Sequence, residues 1–495
     1  LKHNRFSFFN FNHISLNLSL QNSKGFLYEE IALKIEQQIE TGILAPGEKL
    51  TSVRKLSQQL DVSMSTAFQA YFSLENKGLI EARPRSGFYV RCQIQHRPVP
   101  PKKSITSKVP TEVNIDDLVS RLVGVSENKV EVPFGTARPD SRLLPTHKLN
   151  KTLLSVARNS EKEIIEYDFT SGNSFLREQL SFLSFNWGKN LMPEEIVTTT
   201  GCMEALNLSL RAVTKPGDTI AIESPTFYGV LQCIESLGLK VVEISTDPDT
   251  GICLDELETA ITKQDIKACL VISNFNNPLG SCIPDIKKKE LVQLLFKHNI
   301  PLIEDDVYGD LYFGSKRPIT AKAFDEHGMV LLCSSFSKTL APGYRVGWVA
   351  PGKFLNQIKR LKFMTSIASP SLQQMAIAEF IKKGEYTKHL KVLRSTFSRQ
   401  VLLATQIIIK YFPEGTKVTH PKGGCFLWIE LPGNINTLKL YYKAMEFNIE
   451  FLPGILFSTQ KKFRNFMRIS CSLVWENKAE EALKTIGQIL LKELK

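Results

Sequence analysis

The chain has 495 residues, 43% hydrophobic and 23% charged, with a formal net charge of +12. At roughly 100–200 residues per domain that length implies two to four domains, and the composition excludes a wholly disordered chain. No apolar run approaches the ~20 residues of a membrane span, and nine scattered cysteines without a C-x-x-C pair suit neither a disulfide framework nor a zinc site. No membrane partner and no metal are therefore expected.

The opening stretch, LKHNRFSFFNFNHISLNLSL, lacks a continuous apolar core and a small-residue cleavage site, so no signal peptide is expected in it. A chain that opens on Leu1 rather than Met is expected to lack its true start or to be decoded differently. Next, LYEEIALKIEQQIETG spaces Leu27, Ile31, Ile35 and Ile39 four apart, one face of a helix ended by Gly42. Thr51 or Ser52 can cap a short helix, VRKLSQQL, and Ser63 a third. In that third helix Ala67, Ala70, Tyr71 and Leu74 fall on one side, and Gly78 stops it. LIEAR and GFYVR then read as two strands joined by PRS.

Three helices and a hairpin make a winged helix-turn-helix, whose second motif helix enters the major groove by its N-terminal residues. A helical protein-interaction module, with hydroxyls that only cap, is the alternative. Net charge does not decide it, since residues 23–91 hold nine Lys/Arg and eight Asp/Glu. The segment from Leu27 to Val90 resembles the GntR family of bacterial transcription regulators. The resemblance implies that residues 23–91 bind double-stranded operator DNA through Arg54, through Ser63, Ser65 and Thr66, and through a wing at Arg85, Ser86 and Gly87. Met64 and Phe68 stand where many relatives carry arginine, and Thr51 replaces a common proline. With fewer arginines at the helix start, binding should be weaker or differently specified.

Residues 92–130 begin Pro- and Lys-rich and read as a semi-extended linker, in which IDDLVSRLV can form a short helix. From about residue 196 short apolar strands alternate with helices: IVTTT, TIAIE, ACLVIS, IPLIE and MVLLC. That alternation means an α/β domain with a mostly parallel sheet, which binds ligands beyond the carboxyl ends of its strands. Those ends carry Gly201-Cys202-Met203 opening a helix, SPTFYG, NFNNPLG, then Asp305, Asp306 and Tyr308, and finally Ser335, Lys338 and Arg345. Taken singly, a lysine after a strand is usually solvated, an Asp there usually caps a helix, and Asn-Pro is usually a turn. Their succession along consecutive strands makes coincidence improbable. Together they suit an aromatic, cationic phosphate ester: a helix start with Ser335 and Arg345 for the phosphate, a carboxylate for a pyridinium nitrogen, and a lysine for an aldehyde. Partial burial beside Arg345 is expected to lower the pKa of Lys338 and make it a better nucleophile.

Residues 130–490 resemble the fold-type I aminotransferases that use pyridoxal 5′-phosphate, through YDFTSGNSFLREQL, TTTGCMEAL, ESPTFYG, NFNNPLG, EDDVYGDL, SSFSKTLAPGYRVGW, PKGGCFLWIEL and FMRIS. The resemblance implies that Lys338 is the Schiff-base lysine and Asp305 the partner of the pyridine nitrogen. Asn277 and Tyr308 would bond the cofactor's phenolic oxygen, and Phe227 would stack on its ring. Gly201, Cys202, Met203, Ser335 and Arg345 would hold the phosphate, with Tyr167 arriving from a second subunit, and Arg468 would clamp a substrate or effector carboxylate. Phe227 stands where tyrosine is common and so lacks a hydroxyl. Cys202 stands where a small hydroxyl residue is frequent, which leaves its backbone N–H.

A GntR-type winged helix followed by such a domain is the layout of the MocR subfamily of regulators. The expected architecture is α/β: a winged helix over 23–91, a linker over 92–130, and over 131–490 a fold-type I domain with a smaller C-terminal α+β subdomain. The resemblance implies a homodimeric, DNA-associated bacterial regulator in the cytoplasm, responsive to an amino compound. Two other readings stay open: an aminotransferase in its own right, with Lys338 as proton carrier, and a scaffold that senses supply of the vitamer.

Overall fold

The computed structural model describes residues 26–40, 43–44, 48–83, 86–90, 98–123, 130–475 and 477–494. The expectations for the first 25 residues, for Gly42 and for Arg85 lie outside them. The chain divides into two compact units between residues 96 and 97.

In the first unit the helices Leu27–Glu40, Val53–Leu60 and Met64–Asn76 precede an antiparallel hairpin, Ile80–Arg83 with Gly87–Val90. Of the two capping candidates before the second helix, Ser52 acts: its hydroxyl accepts from Lys55 N at 3.3 Å. Ser63 caps the third helix by accepting from Thr66 N at 3.0 Å. Ala67, Ala70, Tyr71 and Leu74 turn inward onto Ile31 and Ile35, forming one core. A fully buried side chain of the Leu/Ile class contributes about 1.5–3 kcal/mol, so this small core suffices to fix the three helices.

The second unit is built on a sheet whose strands lie in the order Thr111–Glu112, Lys240–Asp247, Thr219–Ser224, Ile266–Val271, Leu302–Asp305, Val330–Ser335, Gly347–Ala350, Val197–Thr199. The central pairs from 240–247 to 330–335 are parallel, whereas 347–350 runs antiparallel to both of its neighbours. Both faces are covered, with Ile220, Leu270, Ile303 and Leu331 in one core and Ala221, Cys269, Leu302 and Val330 in another. That burial on two sides is what near-continuous apolar strands require. The carboxyl ends of 197–199, 219–224, 266–271, 302–305 and 330–335 gather along one edge, joined by the amino end of 347–350.

Three strands of this order go beyond the five expected: Thr111–Glu112, Lys240–Asp247 and Gly347–Ala350. Lys240–Asp247 is buried yet holds Glu243, Ser245 and Thr246. Glu243 is satisfied by Ser224 Oγ, Ser458 Oγ and Thr459 N at 2.7–3.0 Å, so polarity here marks internal bonding rather than exposure. Gly347–Ala350 is four residues long and opens on glycine.

Residues 98–123, expected within a linker, pack on the second unit. Thr111–Glu112 is the sheet's edge strand, and the helix Asp116–Val123 follows where a short helix is expected. Tyr441 OH donates to Leu122 O at 3.0 Å, and Ser104 Oγ to Ser224 O at 2.6 Å. The C-terminal part carries a four-stranded sheet, Lys417–Val418, Phe426–Glu430, Phe466–Ser470 and Leu452–Pro453, flanked by the helices Thr437–Met445 and Asn477–Glu493. It is the expected α+β subdomain.

Candidate functional site

At the gathered strand ends lies a cavity of about 130 Å³. Nine of the residues singled out in the sequence line it: Cys202, Met203, Phe227, Asn277, Asp305, Tyr308, Ser335, Lys338 and Arg345. Leu206, Ile272, Val307 and Ser337 complete the wall.

Lys338 follows the strand Val330–Ser335 by three residues and is half-buried. Its amine makes no hydrogen bond or ion pair with any described residue. Burial holds its pKa below the ordinary lysine value, and the Arg468 guanidinium adds to the lowering. The expected helper was Arg345. That side chain is turned elsewhere, donating to Ser337 Oγ at 3.1 Å, Pro342 O at 3.3 Å and Thr200 O at 3.1 Å.

Asp305 ends its strand 4% exposed. Burial pushes its carboxyl up to about 6, against the opposing pull of Val307 N–H, which donates at 3.0 Å, and of the Cys202 thiol, which donates at 3.4 Å. Cys202 thus brings a side-chain contact beyond its expected backbone role. Tyr308 is buried and edge-on to Phe426, and burial raises its phenol well above the usual value. Asn277 Nδ2 donates to Tyr308 OH at 3.4 Å, and Asn277 Oδ1 accepts from Arg468 Nη1 at 3.1 Å. Arg468 is fully buried, lies over the rings of Phe426 and Phe457, and donates from its other Nη to Gly135 O. Its Nε has no partner among the described residues.

Opposite the amine, Gly201 caps the helix Cys202–Val213 at φ 89° and ψ 173°. A Cβ there would meet Arg345 Nη2 at 2.2 Å, so the close approach itself demands glycine. The helix N-terminus, Ser335, Ser337 and Arg345 form an anion cradle. With Asp305, Phe227 and the unpaired amine, this donor set fits a phosphorylated pyridine aldehyde. Tyr167 does not line the cavity. It is 87% exposed, between the exposed Ile165 and Phe169. Ser337 went unremarked in the sequence although it lies in the same SSFSK string. Only its bond to Arg345 singles it out.

In the first unit, Arg54 is exposed on the helix Val53–Leu60. Ser63 Oγ lies 2.7 Å from Ser65 Oγ and 2.8 Å from Thr66 Oγ1, so the three hydroxyls form one cluster at the helix start. Ser86 Oγ sits 2.7 Å from Tyr89 OH, and Gly87 has φ 106°.

Residues 139–486 match the family of class I and II aminotransferases, and residues 27–90 match the gntR family of bacterial regulatory proteins. The chain is 38% identical over 467 residues to the uncharacterized HTH-type transcriptional regulator YdcR of Escherichia coli (strain K12), covering 94% of this chain and 99% of that one. A second regulator from the same strain, YjiR, matches at the same identity and coverage. Among solved structures it is similar to LysN, an alpha-aminoadipate aminotransferase of Thermus thermophilus complexed with N-(5'-phosphopyridoxyl)-L-leucine. There the TM-score is 0.70 and the identity 26%, over 75% of this chain and 95% of that one.

Proposed function

The chain belongs to the class I and II aminotransferase family and carries a gntR-family domain, and from that premise we propose that it is a pyridoxal-phosphate-dependent transcription regulator of the MocR type. Its winged helix, within 23–91, binds operator DNA. Its large domain, within 131–490, binds the cofactor and responds to an amino compound. The observation that carries this reading is the partner-free amine of Lys338, facing Asp305 across a cavity in a chain that also holds a winged helix.

When bound, pyridoxal 5′-phosphate supplies an aldehyde that condenses with amines and a ring that draws electrons from them. The chain's own residues do the rest. Lys338 offers an amine whose lowered pKa raises its free-base fraction. Asp305 offers the ring nitrogen a carboxylate, and Cys202 and Val307 fix its orientation. Asn277 and Tyr308 address the phenolic oxygen, and Phe227 walls the ring. The Gly201–Cys202–Met203 helix start, Ser335 and Arg345 hold the phosphate, assisted by Ser337. Arg468 takes the carboxylate of the effector. Tyr167, exposed and not part of the lining of its own cavity, reaches the cavity of a second copy, which makes the working unit a homodimer. The setting is the bacterial cytoplasm, where the DNA lies.

The effector acts through a difference in affinity for two arrangements of the dimer, since equal affinity for both would shift nothing. Footprinting the full chain on its own upstream DNA, with and without candidate amino acids, tests this. A protection pattern that changes with an amino acid supports the reading. Steady transamination of an amino acid with a keto acid, without any DNA binding, would overturn it in favour of an enzyme. A response to pyridoxal phosphate alone would favour a sensor of the vitamer.

A further inference from the structure

The outward face of the helix Met64–Asn76 carries no cation. Its sequence, MSTAFQAYFSLEN, has neither Lys nor Arg, and its one acid, Glu75, is turned to the hairpin, where Ala82 N donates to it at 2.9 Å. Ala67, Ala70, Tyr71 and Leu74 are buried, so the free face is Met64, Ser65, Phe68 and Gln69. Met64 and Phe68 are each 51% exposed, one helical turn apart. Phe68 stacks on Phe72, with centroids 6.5 Å apart and planes at 17°, which holds its ring in place.

Two large apolar side chains kept in water on one face mark a contact surface. On a helix that enters the major groove they select the apolar feature there, the 5-methyl group of thymine. Guanine is commonly read by a bidentate Arg or Lys, and this helix has none, whereas Gln69 suits the N6/N7 edge of adenine. One A·T pair presents both features. We propose that Met64 and Phe68 read thymine 5-methyl groups, with Gln69 on adenine edges, so that the half-site under this helix is built on A·T pairs. The inference rests on the DNA-binding reading above and adds the specificity of that same surface.

The test uses the cofactor-loaded full chain and a pool of random duplexes. After enrichment, the selected duplex is remade with deoxyuridine for thymine one position at a time, which removes the methyl and nothing else. At a contacted position the affinity should fall about three- to fourfold, the worth of one buried methyl. Phe68→Ala should weaken the thymine duplex and abolish the difference between thymine and deoxyuridine at its position. Enrichment of guanine under the helix, or equal binding of deoxyuridine at every position, overturns the inference while leaving DNA binding intact. So does a Phe68→Ala protein that changes oligomeric state with unchanged DNA affinity, which assigns the face to a second copy. A pool that yields no salt-dependent duplex binding overturns the DNA reading itself, and this inference with it.

Discussion

Replacing Gly201 by alanine tests the anion cradle at its tightest point. At φ 89° and ψ 173° the residue occupies backbone space essentially reserved for glycine, and an L side chain there costs about 1–3 kcal/mol of strain. The added Cβ would also stand 2.2 Å from Arg345 Nη2 and 2.9 Å from its Cζ. The guanidinium must then leave its bonds to Thr200 O and Ser337 Oγ, both 3.1 Å. A hydrogen bond to a charged group is worth roughly 1.5–3 kcal/mol, so losing the arginine from the phosphate should weaken pyridoxal phosphate binding about 10- to 100-fold. Titration of the cofactor-free protein, followed by visible absorbance, measures the loss. Arg345→Ala should show a similar loss without the strain. In the double mutant, alanine at 201 should add little, because the clash it creates has gone. A Gly201→Ala protein that binds the cofactor like the wild type refutes the cradle, and so does a double mutant whose losses simply add.

Lys338→Ala should fold as the wild type does by circular dichroism, because the amine has no bond to lose. Mass spectrometry after pyridoxal phosphate and borohydride should show no covalent gain. Burial pushes the Glu223 carboxyl from its ordinary 4.5 up to about 8. The cofactor-free folded state therefore holds this proton more tightly than the unfolded chain. Its contribution to stability is full below the unfolded value and is lost as pH rises through about 8. In Glu223→Gln the amide oxygen still accepts from Ile272 N and Asn276 Nδ2, which lie 2.7 and 2.9 Å from the native Oε2. Its melting temperature should fall less steeply than the wild type's as pH rises from about 4.5 to about 8, and an unchanged slope counts against the assignment. Arg54→Ala should weaken DNA binding across sequences and flatten its salt dependence, read by titration at several salt concentrations. Ser63→Ala removes the cap on Thr66 N and should cost the first unit about 1 kcal/mol in urea unfolding.

The sequence made the site legible because its residues fall at strand ends, one short string per strand, and a parallel sheet brings those ends to one edge. The first unit was legible for a different reason: its caps and its 3.6-residue period are local, and Ser52, Ser63 and the Ala67–Leu74 face needed no distant partner. Three features were beyond that reach. The strand Lys240–Asp247 hides behind Glu243, whose satisfying donors at 458 and 459 lie more than two hundred residues away. Residues 98–123 read as linker because their partners, among them Ser224 and Tyr441, arrive only with the tertiary fold.

What lowers the pKa of Lys338 besides its burial is the sharpest of the three. Sequence proximity pointed to Arg345, seven residues on, but that arginine has φ 52° and its guanidinium is bound to Thr200, Ser337 and Pro342. The cation that lowers Lys338 is Arg468, 130 residues away, held inward by Asn277 and Gly135. Arg345 therefore stands with the donors at the helix start, and Arg468 is carried by the strand Phe466–Ser470 of the small subdomain. An anion that neutralises Arg468 removes a repulsive charge from Lys338 and should raise its pKa. On the proposed reading Arg345 therefore serves the cofactor's phosphate, whereas Arg468, buried behind Asn277, couples the effector's carboxylate to the amine of Lys338.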